Sequence, residues 1–339
     1  MKKNMLITGG AGFIGSNLAA HFIKQGYRVT VFDNLSRQGS RANIQWLKKI
    51  GSFTLQIGDV RKINDTKKAV RSQDIILHLA AQVAVTTSVI DPRPDFEINA
   101  LGTFNLLERA RQTDRKPVFI FSSTNKVYGG MEEINVVDKN GQYCYKDYPQ
   151  GISEKHNLDF HSPYGCSKGT ADQYVHDFYR IYGLPTVVLR QSCIYGPRQF
   201  GIEDQGWVAW FIIAAMTGKK ITIYGDGKQV RDVLYIDDLV DLFDLILRKI
   251  SIAGGKIYNV GGGPRNVLSV WAAFGPLLSR LFQKDIKVKR ADWRPADQKV
   301  YISDIRLVEK ELGWKPKIGV EEGVGKLYAW VKNNQNLFK

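Results

Sequence analysis

Short apolar runs alternate with amphipathic stretches along the first two hundred residues. NMLIT runs straight into glycines, SNLAAHFIKQGY carries Leu18, Phe22 and Ile23 on one side, and RVTVFDN is a second apolar run that ends in an acid. This pattern predicts a β-α-β unit with glycines at its first turn. FTLQIGDV, DIILHLAAQVAV and PVFIFSST predict three further strands, and FEINALGTFNLLERAR predicts a helix with Asn99 in its first half. SPYGCSKGTADQYVHDFYRIYG predicts a helix from about Tyr164, with Pro163 near its start. LPTVVLRQSCIYGP adds another strand. Strands that alternate with helices indicate a mostly parallel sheet covered on both faces.

The glycines fix what the first turn can hold. Gly9, Gly12 and Gly15 are spaced G-x-x-G-x-x-G, and Gly10, Gly12 and Gly15 also satisfy G-x-G-x-x-G. Such a turn lets a pyrophosphate approach the backbone and faces it with the N–H groups of the following helix, here beginning near Phe13 and Ile14. Asp33 lies 18 residues beyond Gly15 at the end of the second strand, followed by Asn34. A carboxylate there accepts hydrogen bonds from both adenosine ribose hydroxyls and repels a 2′-phosphate, which favours NAD over NADP. Arg37 pulls the other way, because a guanidinium could attract that phosphate. Asp59 and Val60 end the third strand, where Asp59 either reaches the adenine or caps the next helix. Leu79, Ala80 and Ala81 leave the fourth strand, and the small side chains let a dinucleotide cross closely. His78, inside that apolar strand, reads as a packed histidine.

Residues four apart share a helix face, so Tyr164 and Lys168 stand one above the other. A tyrosine titrates near pH 10, and a neighbouring ammonium favours its phenolate. Such a tyrosine can take a proton from a substrate hydroxyl, with Thr124 bonding the same oxygen from a strand end. With NAD as hydride acceptor, these residues make an alcohol–ketone redox site, and Lys168 can also hold the nicotinamide ribose.

Composition changes this picture little. The chain has 339 residues, 44% of them hydrophobic, enough for a large domain with a smaller partner. Its 48 Lys and Arg exceed its 33 Asp and Glu, giving a net charge of +15. The basic residues are scattered and lack interleaved aromatics, which argues against nucleic acid; an anionic small substrate or a generally basic surface remains. Cys144, Cys166 and Cys193 fit no metal or disulfide spacing, so no metal is expected and a reducing, cytoplasmic setting is. The start, MKKNMLITGG, does not read as a signal peptide, and no apolar run suits a membrane.

TGGAGFIGS, FDNLS, GDV, HLAA, SST..VYG, PYG.SK and YGDGKQVRDVLYIDDL together resemble the extended short-chain dehydrogenases/reductases, the NAD-dependent epimerase/dehydratase family. The resemblance covers nearly the whole chain. It implies an α/β fold: a Rossmann-type doubly wound parallel sheet with a smaller C-terminal substrate-binding lobe. It places residues 1–190 in the NAD domain, with returning segments near 231–262, and most of 191–339 in an interleaved sugar-nucleotide lobe. Thr124, Tyr164 and Lys168 match the catalytic set, Asn99 matches an active-site asparagine, and Arg231 and Arg294 match arginines that grip a sugar-nucleotide diphosphate. It also implies a homo-oligomer, a dimer or tetramer, formed through two helices beside the Tyr164 helix.

QVAVTTSVIDPRPDFEINA, SSTNKVYGG, LDFHSPYGCSKG and RQFGIEDQGWVAWF are similar to the CDP-tyvelose (CDP-paratose) 2-epimerases. That implies inversion at C2 of a CDP-3,6-dideoxyhexose through a transient 2-keto sugar. Asn125-Lys126 follows Thr124 where a 4,6-dehydratase would carry an Asp-Glu pair, which argues against water elimination. A UDP-hexose 4-epimerase uses the same proton and hydride groups, so the catalytic residues leave that alternative open. Arg93, Lys126, Gln205 and Trp207 fall in the distinctive loops without an assigned role.

Overall fold

A computed structural model describes residues 2–294 and 297–338. The strands are β1 (Asn4–Thr8), β2 (Arg28–Asp33), β3 (Thr54–Ile57), β4 (Ile75–His78), β5 (Val118–Thr124), β6 (Val136–Lys139), β7 (Gln142–Tyr145) and β8 (Thr186–Gln191). They continue with β9 (Cys193–Tyr195), β10 (Ile221–Tyr224), β11 (Val230–Tyr235), β12 (Ile257–Val260), β13 (Val267–Ser269), β14 (Val288–Ala291) and β15 (Val300–Tyr301).

Seven strands form one parallel sheet in the order β12-β8-β5-β4-β1-β2-β3. Chain order reverses direction beside β1, so the crevice between the carboxyl ends of β1 and β4 is the switch point where such sheets bind ligands. Alternate side chains of β1 explain why both faces are covered. Met5 and Ile7 pack with Leu18, Ala19 and Phe22 of the helix Phe13–Lys24. Leu6 packs with Phe119, Phe121, Leu106 and Phe178 on the other side. A strand buried on both faces must be apolar throughout, as NMLIT is. The helix Ser162–Tyr182 covers this second face through Ala171, Val175 and Phe178.

The smaller lobe is built around β11. It pairs with β13 antiparallel and with β15 and β9 in parallel. β10 and β14 pair separately. After the helix Ile236–Arg248 the chain returns to the large sheet, where β12 adds beside β8. The β6–β7 hairpin escapes the periodicity reading. Its turn residues Asn140 and Gly141 have φ of 54° and 80°, the left-handed pair that an Asn-Gly hairpin turn uses, so the signal was present in KNGQ. Among the described residues, no helix is long and apolar enough to cross a membrane.

Candidate active site

A cavity of about 550 Å³ opens at the switch point and runs from the first glycine turn to the start of the helix Trp207–Thr217. Gly9, Gly12, Phe13, Ile14 and Gly15 line it. Gly9 has φ +66°, and a Cβ there would lie 2.8 Å from the Ala80 nitrogen. A Cβ on Gly15 would lie 2.2 Å from the Gly9 carbonyl oxygen. Only glycine lets the first turn, the helix start and the β4 exit meet so closely.

Asp33, Asn34, Asp59, Val60, Leu79, Ala80 and Ala81 continue the wall. Asp33 is buried; one carboxylate oxygen accepts from Ala11 N at 3.0 Å and the other from Leu35 N at 2.8 Å. Burial raises its pKa, while those N–H groups and nearby Arg37 oppose the shift. Both oxygens keep a lone pair for further donors. Asp59 receives Arg61 in bidentate fashion at 3.0 and 2.7 Å and also accepts from Arg61 N. The Arg61 side chain holds the Asp59 carboxyl down to about 2. Asp59 thus both lines the cavity and organises the turn before the helix Ile63–Val70.

Small glycine and alanine positions, a carboxylate at the end of β2 and a helix N-terminus aimed into the cavity fit a dinucleotide. Thr124, Tyr164 and Lys168 line the same cavity farther along. Thr124 ends β5 and Tyr164 lies in the first turn of the long helix, so the sheet and the helix bring residues 40 positions apart to one wall of the cavity. Burial pushes the Tyr164 phenol up to about 12, with Asp95 adding to the rise and the facing Thr124 hydroxyl and Arg37 opposing it. Burial also pulls Lys168 down to about 7. Lys168 donates to the Ser122 carbonyl and sits 4.1 Å over the Phe121 ring. Burial therefore dominates the phenol, and what opposes it is Thr124 and Arg37 rather than the Lys168 that the four-residue spacing suggests.

Asn99 lies behind the wall. A π-helical turn, Phe96–Leu101, replaces the uniform helix expected there. It directs Asn99 to accept from Gln82 N at 2.9 Å and donate to Ser167 Oγ at 3.0 Å, tying the β4 exit to the Tyr164 helix. His78 is packed, as its sequence context suggests: its ring nitrogens contact Thr8 Oγ1 at 2.7 Å and Thr103 Oγ1 at 2.9 Å.

At the far end, Lys126, Asp204, Gln205 and Trp207 line the cavity. Lys126 Nζ lies 3.4 Å from Gln298 Oε1, and burial, aided by Arg231, lowers its pKa to about 8. Arg231 stands behind Lys126 on β11 and donates to Asp297 at 2.7 Å. Arg294 stacks 3.8 Å over Tyr224 and contacts Asp204 at 3.2 Å. Neither arginine forms the cavity wall itself, and each has a carboxylate partner. Arg93 lies on the surface, paired with Glu97 at 3.0 Å.

This fold and site define an extended short-chain dehydrogenase/reductase that works on nucleotide sugars. The family model described as GDP-mannose 4,6 dehydratase matches residues 6–327, and the chain belongs to that family. CDP-paratose 2-epimerase of Salmonella typhi is 45% identical over 97% of this chain and 99% of its own. The UDP-glucose 4-epimerase of Thermotoga maritima, solved with UDP-glucose, superposes with a TM-score of 0.83 at 31% identity, covering 98% of this chain and 99% of that one. The UDP-glucose 4-epimerase of Thermus thermophilus, solved with NAD, gives 0.83 at 30% identity over 98% and 99%. The chain is an NAD-dependent nucleotide-sugar epimerase.

Proposed function

We propose that the protein inverts C2 of a CDP-3,6-dideoxyhexose, converting CDP-paratose to CDP-tyvelose. The observation that carries this reading is the 45% identity, nearly end to end, with CDP-paratose 2-epimerase of Salmonella typhi. NAD, when bound, supplies the acceptor for the C2 hydride and gives the same hydride back. Gly9, Gly12, Phe13, Ile14, Gly15, Asp33, Asn34, Asp59, Val60 and Leu79 through Ala81 would hold it, with Asn99 positioning the wall.

Tyr164 takes the proton from the C2 hydroxyl, Thr124 bonds that oxygen, and Lys168 supplies positive charge beside the phenol. Once the 2-keto sugar has turned over in the cavity, Tyr164 would return the proton to the same oxygen. Arg231 and Arg294 hold the diphosphate while the sugar turns, exchanging Asp297 and Asp204 for phosphate oxygens. Lys126 is an ammonium where an acid pair would serve elimination, which suits a reaction that loses no water. The same reading places residues 1–190 in the NAD domain and most of 191–339 in the substrate lobe. It makes the enzyme a cytoplasmic homo-oligomer.

Incubation with CDP-paratose and, in parallel, UDP-glucose tests the assignment. Interconversion of CDP-paratose and CDP-tyvelose is expected, with UDP-glucose unchanged; the reverse result would assign a UDP-hexose 4-epimerase. With C2-deuterated substrate, the label is expected back at C2 of the product. Washout into water at the turnover rate would indicate deprotonation at carbon instead.

A further inference from the structure

We propose that the turn 202–205 is a strap across the dinucleotide cavity, closed by Arg37 from the opposite lobe, and that this bridge retains NAD through the catalytic cycle. Arg37 follows the acid at the end of β2 by four residues, and Gln205 belongs to the segment that enters the second lobe. The Arg37 guanidinium donates to Gln205 Oε1 across 168 positions of chain. Both residues line the cavity, and the charge of Arg37 acts on both Asp33 and Tyr164. The bridge thus joins the cavity wall just past Asp33 to the far end of the cavity, where Gln205 lies.

The turn has a firm base on its own lobe. Ile202 and Gln205 exchange both backbone hydrogen bonds at 3.0 Å. Tyr224 donates its hydroxyl to Glu203 Oε1 at 3.1 Å, a contact that stays in place when Arg294 exchanges Asp204 for phosphate. Gly206, with φ +73°, then turns the chain into the helix Trp207–Thr217, whose Phe211 and Ile212 are buried in the core. On the other side Arg37 is exposed, and Gln205 is its hydrogen-bond partner among the described residues. The strap is therefore fixed at one end and latched at the other by a single charge-assisted bond.

The chemistry gives the latch a purpose, and here the inference rests on the epimerase reading. An epimerase returns the hydride it removes, so losing the reduced cofactor between the two transfers would strand an oxidised sugar. Slow dinucleotide release serves that cycle, whereas an enzyme with net oxidation must exchange its cofactor.

Exchange of isotopically labelled NAD into the purified full-length protein, followed by denaturation and mass analysis, tests the proposal. Arg37→Ala and Gln205→Ala are each expected to speed exchange about tenfold, the scale of one charge-assisted hydrogen bond. The double variant is expected to exchange no faster than either single one, because both remove the same bond. Gln205→Glu keeps an acceptor for Arg37 and adds charge, so it is expected to exchange at or below the wild-type rate; that result also certifies that position 205 tolerates substitution. Fast exchange in Arg37→Ala with wild-type exchange in Gln205→Ala would mean that Arg37 acts on the dinucleotide alone, and the strap would fall. Wild-type rates in both variants, or a double variant about a hundredfold faster, would overturn it as well. Wild-type protein that carries no dinucleotide would sink the cofactor assignment and the strap together, a result distinct from the others.

Discussion

Tyr164 and Lys168 stand a helical turn apart, and burial pushes each toward its neutral form: the phenol up to about 12 and the amine down to about 7. The tyrosine therefore depends on added positive charge at the site to act as a base near neutral pH. On the proposed mechanism, Tyr164→Phe removes the proton carrier and leaves the wall of the cavity in place. Epimerase turnover is expected to fall at least a thousandfold, at the upper end of about 10²–10⁴ for a positioned acid-base group, while NAD recovered from the denatured protein stays at the wild-type level. Loss of NAD along with activity would make Tyr164 a cofactor-retaining residue first. His78 gives a second residue-scale expectation. Burial lowers its pKa to about 3, below the unfolded value near 6.5. Between those values the unfolded chain binds a proton that the folded chain excludes, so stability is lost as pH falls from about 6.5 toward 3. The slope from this residue is at most about 1.4 kcal/mol per pH unit. Denaturant unfolding at pH 7 and pH 5 is expected to show a smaller drop for His78→Asn than for the wild type.

The Tyr164 helix is useful only if the sheet fixes its position. Asp172, one helical turn beyond Lys168, accepts both Arg190 Nε at 3.0 Å and Nη2 at 2.9 Å from β8, and Ser123 Oγ at 2.7 Å from β5. Both charges are buried. Asp172→Ala would leave the Arg190 guanidinium buried without a counter-charge, with an expected cost of about 3–5 kcal/mol in urea unfolding. Asp172→Leu combined with Arg190→Met is expected to recover most of that loss, because it removes both desolvated charges. If the pair alone set stability, the double variant would be as weak as the single one. The glycine turn is the other element on which the site depends. Gly15→Ala would press a Cβ against the Gly9 carbonyl, and the expected result is protein isolated with little NAD.

For the molecule as a whole, the net charge of +15 is opposite in sign to the diphosphate of the proposed substrate. A field of that sign speeds encounter with an anion and weakens as salt screens it. KM is expected to rise severalfold between about 0.05 and 0.5 M salt, where the screening length falls from roughly 14 Å to 4 Å, with kcat nearly constant. A KM independent of salt would assign the excess charge to the surface at large.

The alternation of strand and helix was legible because each element carries its own period, and a strand buried on both faces must be apolar along its length. The glycine spacing, Asp33 and the Tyr164–Lys168 interval were legible for a related reason: each is a local pattern whose chemistry follows from a few adjacent positions. The π-turn that carries Asn99 was not, because its partners Gln82 and Ser167 come from other elements. Nor was the depth of burial that moves Tyr164 and Lys168 in opposite directions, since desolvation depends on what the whole chain packs over them. The contact of Arg37 with Gln205 likewise arises only when two lobes meet, and the pairing of Arg231 and Arg294 with Asp297 and Asp204 only when distant segments of the second lobe fold together. The sequence by itself determined the elements, the glycine turn and the one-turn spacing of Tyr164 and Lys168; the tertiary structure decided which charges face one another and how much water they keep, because both depend on distances through space rather than along the chain.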